Sequence, residues 1–239
     1  MLLAIDIETE NLLPPLLPGC DSRHYSSSPS SSEKKPPLPE ITCVCLFDGE
    51  SSYKLLLHPK SLSEEERQNN VKTLLELLDS ADTLCGYNAV LFDLEFIRRH
   101  FDIEDARFSG WIYKCIDPFM YAKHLSGTQC KLQHLLELNH LESKTGSGAD
   151  AILLAKNQEW DKLLDYCLMD AKLTFHLCQL PWIKLTPILL CSFSCTQQPI
   201  FKLLSPSTIS TWIIFRLFED AFLQMHSAAL PFYEKLEKK

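Results

Sequence analysis

The chain has 239 residues, 46% hydrophobic and 23% charged, with ten cysteines and a formal net charge of −8. A chain of this length buries roughly 70% of the surface its unfolded form exposes, so its core needs neither disulfides nor structural zinc. The acidic balance excludes a nucleic-acid coat protein, which would neutralise phosphates with a strongly basic surface, but leaves room for an enzyme that grips a strand end through metal ions.

The opening MLLAIDIET has no basic residue ahead of its apolar run, and Asp6 cuts that run short, which argues against a secretory leader. The cysteines are scattered without a C-x-x-C pair and sit mostly in apolar runs, as free thiols do. An intracellular location, nuclear or cytoplasmic, is expected. Residues 2–7 (LLAIDI) read as a buried central strand with polar groups at its exit. Residues 14–40 are so rich in Pro and Ser that they read as a disordered insertion in a loop. TCVCLF (42–47) and YKLLLH (53–58), separated by Asp48-Gly49, predict an antiparallel hairpin.

Ser63 and Glu66 form a capping box ahead of a helix whose apolar stripe is Val71, Leu74, Leu75 and Leu78. TLCGY (83–87) predicts another short strand, and 92–101 a helix with Phe92, Phe96 and Ile97 on one face. A fifth strand is expected near 111–115. Residues 116–138 read as helical in pieces, and TGSG (145–148) as a loop before a helix at 149–156. The clearest helix spans 159–179, with Trp160, Leu163, Leu164, Cys167, Leu168 and Leu173 inward and Pro181 as its stop. Residues 1–180 thus form one α/β domain. The remainder, 181–239, is an apolar tail of unassigned structure with a helix expected at 211–225. The tail lacks an uninterrupted apolar run of about 20 residues, so no membrane span is expected.

Three short motifs carry the chemistry. In Asp6-Ile7-Glu8 the strand period points both carboxylates to one face, about 7 Å apart along the chain. Two such acids repel each other and resist burial unless a cation sits between them, and hard divalent cations prefer oxygen ligands; otherwise they simply emerge into water. In Gly86-Tyr87-Asn88-Ala89-Val90-Leu91-Phe92-Asp93 a strand turns into a helix with an acid in its first turn, where the helix dipole alone would favour it. In Tyr166-Cys167-Leu168-Met169-Asp170 a phenol and a carboxylate share a helix face at i, i+4.

Taken in order, these motifs resemble those of DEDDy-type 3′-5′ exonucleases of the DnaQ-like, RNase H-like superfamily. The greatest similarity is to the proofreading domain of family-B DNA polymerases, carried by DIET (6–9), ITCVCLFD (41–48), GYNAVLFD (86–93) and YCLMDAKL (166–173). The resemblance covers roughly residues 2–180 and no polymerase palm motif is present. It implies an RNase H-like fold: a five-stranded mixed sheet with one antiparallel strand, helices on both faces and the acids at the edge of the central strands.

The resemblance also implies that Asp6, Glu8, Asp93 and Asp170 hold two divalent cations, Mg²⁺ or Mn²⁺, whose paired charge stabilises the attacking and leaving oxygens of a displacement at phosphorus. Tyr166, with an ordinary pKa near 10, suits orienting the attacking water better than deprotonating it. The histidine subclass would carry its histidine at position 165, which is Asp165 here. Thr9, Asn88 and Phe92 are the implied contacts of the terminal nucleotide, and nucleoside 5′-monophosphates the implied product. The implied partner is a nucleic acid with a free 3′ end, DNA before RNA. Lys123, Lys131, Lys144 and the Arg98-Arg99 pair are candidates for a phosphate-binding groove. No aromatic ladder is visible, so a short substrate contact is expected. Two alternatives stand beside this reading: an RNA 3′-end trimming nuclease of the same chemistry, and a catalytically silent RNase H-like module whose tail docks on a protein partner.

Overall fold

The structure, a computed structural model, describes residues 1–11, 39–126, 130–144, 146–186, 189–193 and 199–203. In chain order the strands and helices are β1 (Leu2–Thr9), β2 (Ile41–Phe47), β3 (Ser52–Leu56), α1 (Glu64–Ser80), β4 (Thr83–Cys85), α2 (Asp93–His100) and α3 (Asp105–Tyr113). They continue with β5 (Cys115–Ile116), α4 (Pro118–Ser126), α5 (Leu132–Leu138), α6 (Gly148–Lys156), α7 (Trp160–Gln179), β6 (Ile183–Thr186), β7 (Leu189–Phe193) and β8 (Pro199–Leu203). The expected insertion lies outside the described residues except for its last two, Pro39 and Glu40, and so does the helix expected at 211–225.

The main sheet has the order β3-β2-β1-β4-β5. β2 is antiparallel to both of its neighbours, while β1, β4 and β5 run parallel. This is the five-stranded mixed sheet expected from the sequence, in an RNase H-like arrangement. Alternation along β1 sends Leu3, Ile5 and Ile7 into one core with Leu74 and Leu78 of α1, Leu94, Phe96 and Ile97 of α2, and Phe108 and Trp111 of α3. Ala4, by the same period, joins the opposite core with Cys43 and Cys45 of β2, Ala151 and Ala155 of α6, and Leu163, Cys167, Leu168, Ala171 and Phe175 of α7. Helices therefore cover both faces. Asp6 and Glu8 share the phase of Ala4 and face α7. Every residue of β2 is buried, which explains why it reads as a continuous apolar run.

Local chemistry fixes the element ends. Ser63 caps α1 with the reciprocal Ser63 and Glu66 bonds of a capping box, a contribution of about 1 kcal/mol. Asp48 accepts the backbone N–H groups of Glu50 at 2.9 Å and Ser51 at 2.7 Å, closing the hairpin turn. The fifth strand needs a correction: Trp111 to Tyr113 belong to α3, and β5 begins only at Cys115. Trp111 is drawn into the helix because its indole donates to Asp79 at 2.8 Å while its ring fills the core. Past α7, strands β6 to β8 form a separate antiparallel sheet. Its first strand is stitched to the domain, since Asn139 accepts the Lys184 N–H at 2.7 Å and donates to the Lys184 carbonyl at 2.9 Å. Among the described residues no helix is long and apolar enough to cross a membrane, and Cys43, Cys45, Cys85, Cys115, Cys130, Cys167 and Cys178 are free thiols.

Candidate active site

The pairing of β1 creates the site. On one side β1 follows β2 as far as Thr9; on the other it pairs with β4 only from Leu2 to Ala4, opposite Thr83 to Cys85. After Cys85 the chain leaves β1 at Gly86, where a Cβ would lie 2.3 Å from that of Ala89 and 3.3 Å from the Ile5 carbonyl. Only glycine lets the turn fold back on Ala89 so tightly beside β1. Beyond Ala4 one edge of β1 is thus open, and the notch is filled from α2. Asp93, 3% exposed, accepts the Ile7 N–H at 2.9 Å, between the two acids of β1.

α7 supplies the opposite wall. Cys167 donates to the Asp6 carbonyl at 3.2 Å and Cys45 to the Leu164 carbonyl at 3.4 Å, weak bonds that hold the helix against β1 and β2. With α7 so placed, Asp170 comes over β1. One carboxylate oxygen from each of Asp6, Glu8 and Asp170 falls within 4.8 Å of the others. Asp93, tied to Ile7, stands outside that triangle, although its charge is felt by Asp6.

Packing three carboxylates this way is unfavourable unless a cation joins them. Burial, then the charges of Asp170, Glu8 and Asp93, hold the Asp6 carboxyl well above the usual carboxylate range. Burial and Asp170 push Glu8 up to about 8, and burial pushes Asp93 up to about 7 against the pull of backbone N–H groups. Asp170 is raised by burial and drawn back by Lys144. Among the described residues, three buried side-chain oxygens have no hydrogen-bond partner, Asp6 Oδ2, Asp170 Oδ1 and the Tyr166 hydroxyl, although the phenol feels the charges of both Lys144 and Asp170. Unsatisfied buried oxygens in an all-oxygen donor set fit a hard divalent cation, Mg²⁺ or Mn²⁺.

Lys144 is the cation that the protein itself brings here. Of the candidates Lys123, Lys131 and Lys144 it alone enters the acid cluster, where its ammonium is paired with Asp170 and lies 5.0 Å from the centroid of the Tyr166 ring. Burial by itself would lower its pKa, but the charge and hydrogen bond of Asp170 carry it upward. Its backbone N–H donates to Gln133 of α5 at 2.8 Å, and Gly146, two residues on, lies against Tyr166, where a Cβ would come within 3.0 Å of the ring. By contrast, Lys123 lies over the Phe119 ring, and Arg98 is bound to Glu95.

The expected nucleotide contacts are placed as follows. Thr9 ends β1 and donates its hydroxyl to the Asn11 carbonyl at 2.9 Å. Asn88 occupies the turn after β4 in the left-handed region, at φ 65°. Phe92 caps α2 and packs on Phe96, ring centroids 4.6 Å apart. Asp165 is exposed and paired with Lys54, on the far side of α7's turn from the acids. Sequence reading missed Asp117, a buried carboxylate between β5 and α4; its signal was an Asp followed by Pro at a helix start. No protein-family model matches the chain, and no curated protein matches it.

Proposed function

We propose that the protein is a metal-dependent 3′-5′ exonuclease that hydrolyses phosphodiester bonds at nucleic-acid 3′ ends and releases nucleoside 5′-monophosphates. The observation that supports this most is the triangle of Asp6, Glu8 and Asp170 with two of its buried oxygens unsatisfied, backed by Asp93 in the strand notch. In this reading Asp6, Glu8 and Asp170 hold divalent cations with Asp93, and those cations supply the charge that activates water and stabilises the leaving oxygen.

The chain's own residues do the rest. Burial raises the Tyr166 phenol further above its already high pKa, so at neutral pH it stays protonated and orients the attacking water as a hydrogen-bond partner rather than removing its proton. Lys144, beside the same cluster, offsets negative charge as the phosphate enters. Asn88 and Phe92, on the turn that leads into Asp93, border the terminal nucleotide.

The test is digestion of matched end-labelled linear DNA and RNA oligonucleotides and a circular single strand, with Mg²⁺ or Mn²⁺, by wild type and by Asp6→Ala. Metal-dependent release of 5′-mononucleotides from linear substrate only, lost in Asp6→Ala, is expected. Equal digestion by Asp6→Ala, or cutting of the circle, would overturn the reading. Absence of any digestion would favour the interaction-module alternative, and digestion of RNA alone the trimming one.

A further inference from the structure

The least accounted-for group near the site is Asp117. It is a carboxylate 2% exposed in the junction between β5 and α4, held by backbone N–H groups. What it accepts instead is backbone: Oδ1 takes the N–H of Asn88 at 2.9 Å and of Phe119 at 3.1 Å, and Oδ2 takes the N–H of Val90 at 3.1 Å. The Phe119 bond is a helix cap and would be met by any good capping residue. The other two are not local. They reach 29 and 27 residues back, to the turn that carries Asn88 and leads into Phe92.

That turn needs a clamp. Asn88 sits at φ 65°, in the left-handed region that asparagine adopts more readily than other residues with a side chain, and Gly86 folds tightly against Ala89 beside β1. The clamp also has a support: the Tyr87 and Phe119 rings meet edge to face at 5.6 Å, and Tyr87 donates its hydroxyl to the Cys130 carbonyl. Asp93, at the end of the same turn, has a tether of its own through Ile7. Loss of the clamp therefore frees the middle of the turn while the acid cluster stays anchored.

We infer that Asp117 is a positioning residue for the terminal-nucleotide pocket: by holding the turn at Asn88 and Val90 it sets where Asn88 and Phe92 meet the substrate, and it does so without touching substrate or metal. The inference rests on the exonuclease reading and adds to it a division of labour. Asp6, Glu8, Asp93 and Asp170 govern turnover, and Asp117 governs capture of the strand end.

Two full-length variants test it. Asp117→Asn keeps the shape but turns an N–H donor toward Val90, and Asp117→Ser keeps a cap for α4 but is too short to hold the turn. Each loses one or two charge-assisted hydrogen bonds, so KM for a linear oligonucleotide should rise about ten-fold or more. Because the Asp117 charge raises the Asp93 carboxyl, the comparison is made at saturating Mn²⁺, where kcat should stay within about two-fold. In an Asn88→Ala background, Asp117→Ser should add little further KM increase, because both changes act on one pocket. An unchanged KM in Asp117→Ser with an active wild type would reduce Asp117 to a helix cap and overturn the inference. A fall in kcat at constant KM would overturn it as well, by routing the effect through the metals. An inactive wild type would instead defeat the exonuclease reading and this inference with it.

Discussion

The Lys144 ammonium and the Asp170 carboxylate are paired inside the acid cluster, with Lys144 also lying over the ring of Tyr166 one helical turn before Asp170. Lys144 thus occupies the same carboxylate that completes the acid triangle. Its pairing explains how a β-strand and a helix can bring three acids within 4.8 Å without driving α7 away.

Removing the first acid should separate function from stability. On the proposed reading Asp6→Ala deletes a metal ligand, and it relieves repulsion from Glu8 and Asp170, so metal-dependent digestion should vanish while Tm measured in chelator stays level or rises. A Tm several degrees below wild type in chelator would show that Asp6 stabilises the fold instead.

The pH dependence has a definite sign. Glu8 moves from 4.5 to about 8 and Asp93 from 3.8 to about 7 on folding. Carboxyls raised this way bind protons more tightly in the folded chain, so their contribution to stability is full below about pH 4 and is lost as pH rises through about 8. In chelator, Tm should therefore fall between pH 5 and pH 8. Mn²⁺, which binds the deprotonated ligands, should shrink that fall. A Tm that climbs over this range in chelator would contradict the electrostatic account.

Tyr166→Phe keeps the ring against Gly146 and Lys144 but removes the hydroxyl that stands beside Lys144 and Asp170. Mn²⁺ binding should survive while turnover falls by about 10² to 10⁴, the worth of one positioned catalytic group. Unchanged turnover at saturating metal would leave the chemistry to the acids alone.

The start of the tail belongs to the domain's packing. Ile183 is fully buried with Leu135, Leu136, Leu173 and Leu177, and Lys184 is bound through its backbone to Asn139. A chain cut after Leu180 should lose Tm relative to one cut after Leu203, and Asn139→Ala in the full chain should cost about 1–3 kcal/mol in denaturant unfolding. Equal stability of the two truncations would show that the stitch contributes nothing.

Elements whose signal is local were readable from sequence. The capping box of α1, the period of α7 and the alternation of β1 each depend on neighbours in the chain, and so did the placement of Asp6 and Glu8 on one face. β5 was misplaced because two residues carry no period, and its position is set by β4 alongside it. α3 was missed because Gly110 interrupts its middle and Trp111 reads equally well as strand. Lys144 could not be told from Lys123 and Lys131, since its entry into the cluster depends on its bond to Gln133 of the preceding helix and on the packing of Gly146 against Tyr166 of α7. Asp117 is marked by its Asp-Pro signal only as a helix cap, because its other partners are backbone N–H groups of a distant turn.

The bond from Ile7 to Asp93 makes one main-chain amide a reporter of the site. An amide bonded to a strand neighbour exchanges its hydrogen only when the sheet opens, whereas the Ile7 amide is guarded by a side chain whose grip depends on its charge and on what else it binds. Amide hydrogen exchange at Ile7 should respond to divalent cation and to Asp93→Asn, while the amides of β2, enclosed on both sides, keep their protection. A single backbone position would then report engagement of the acid cluster without any substrate being added.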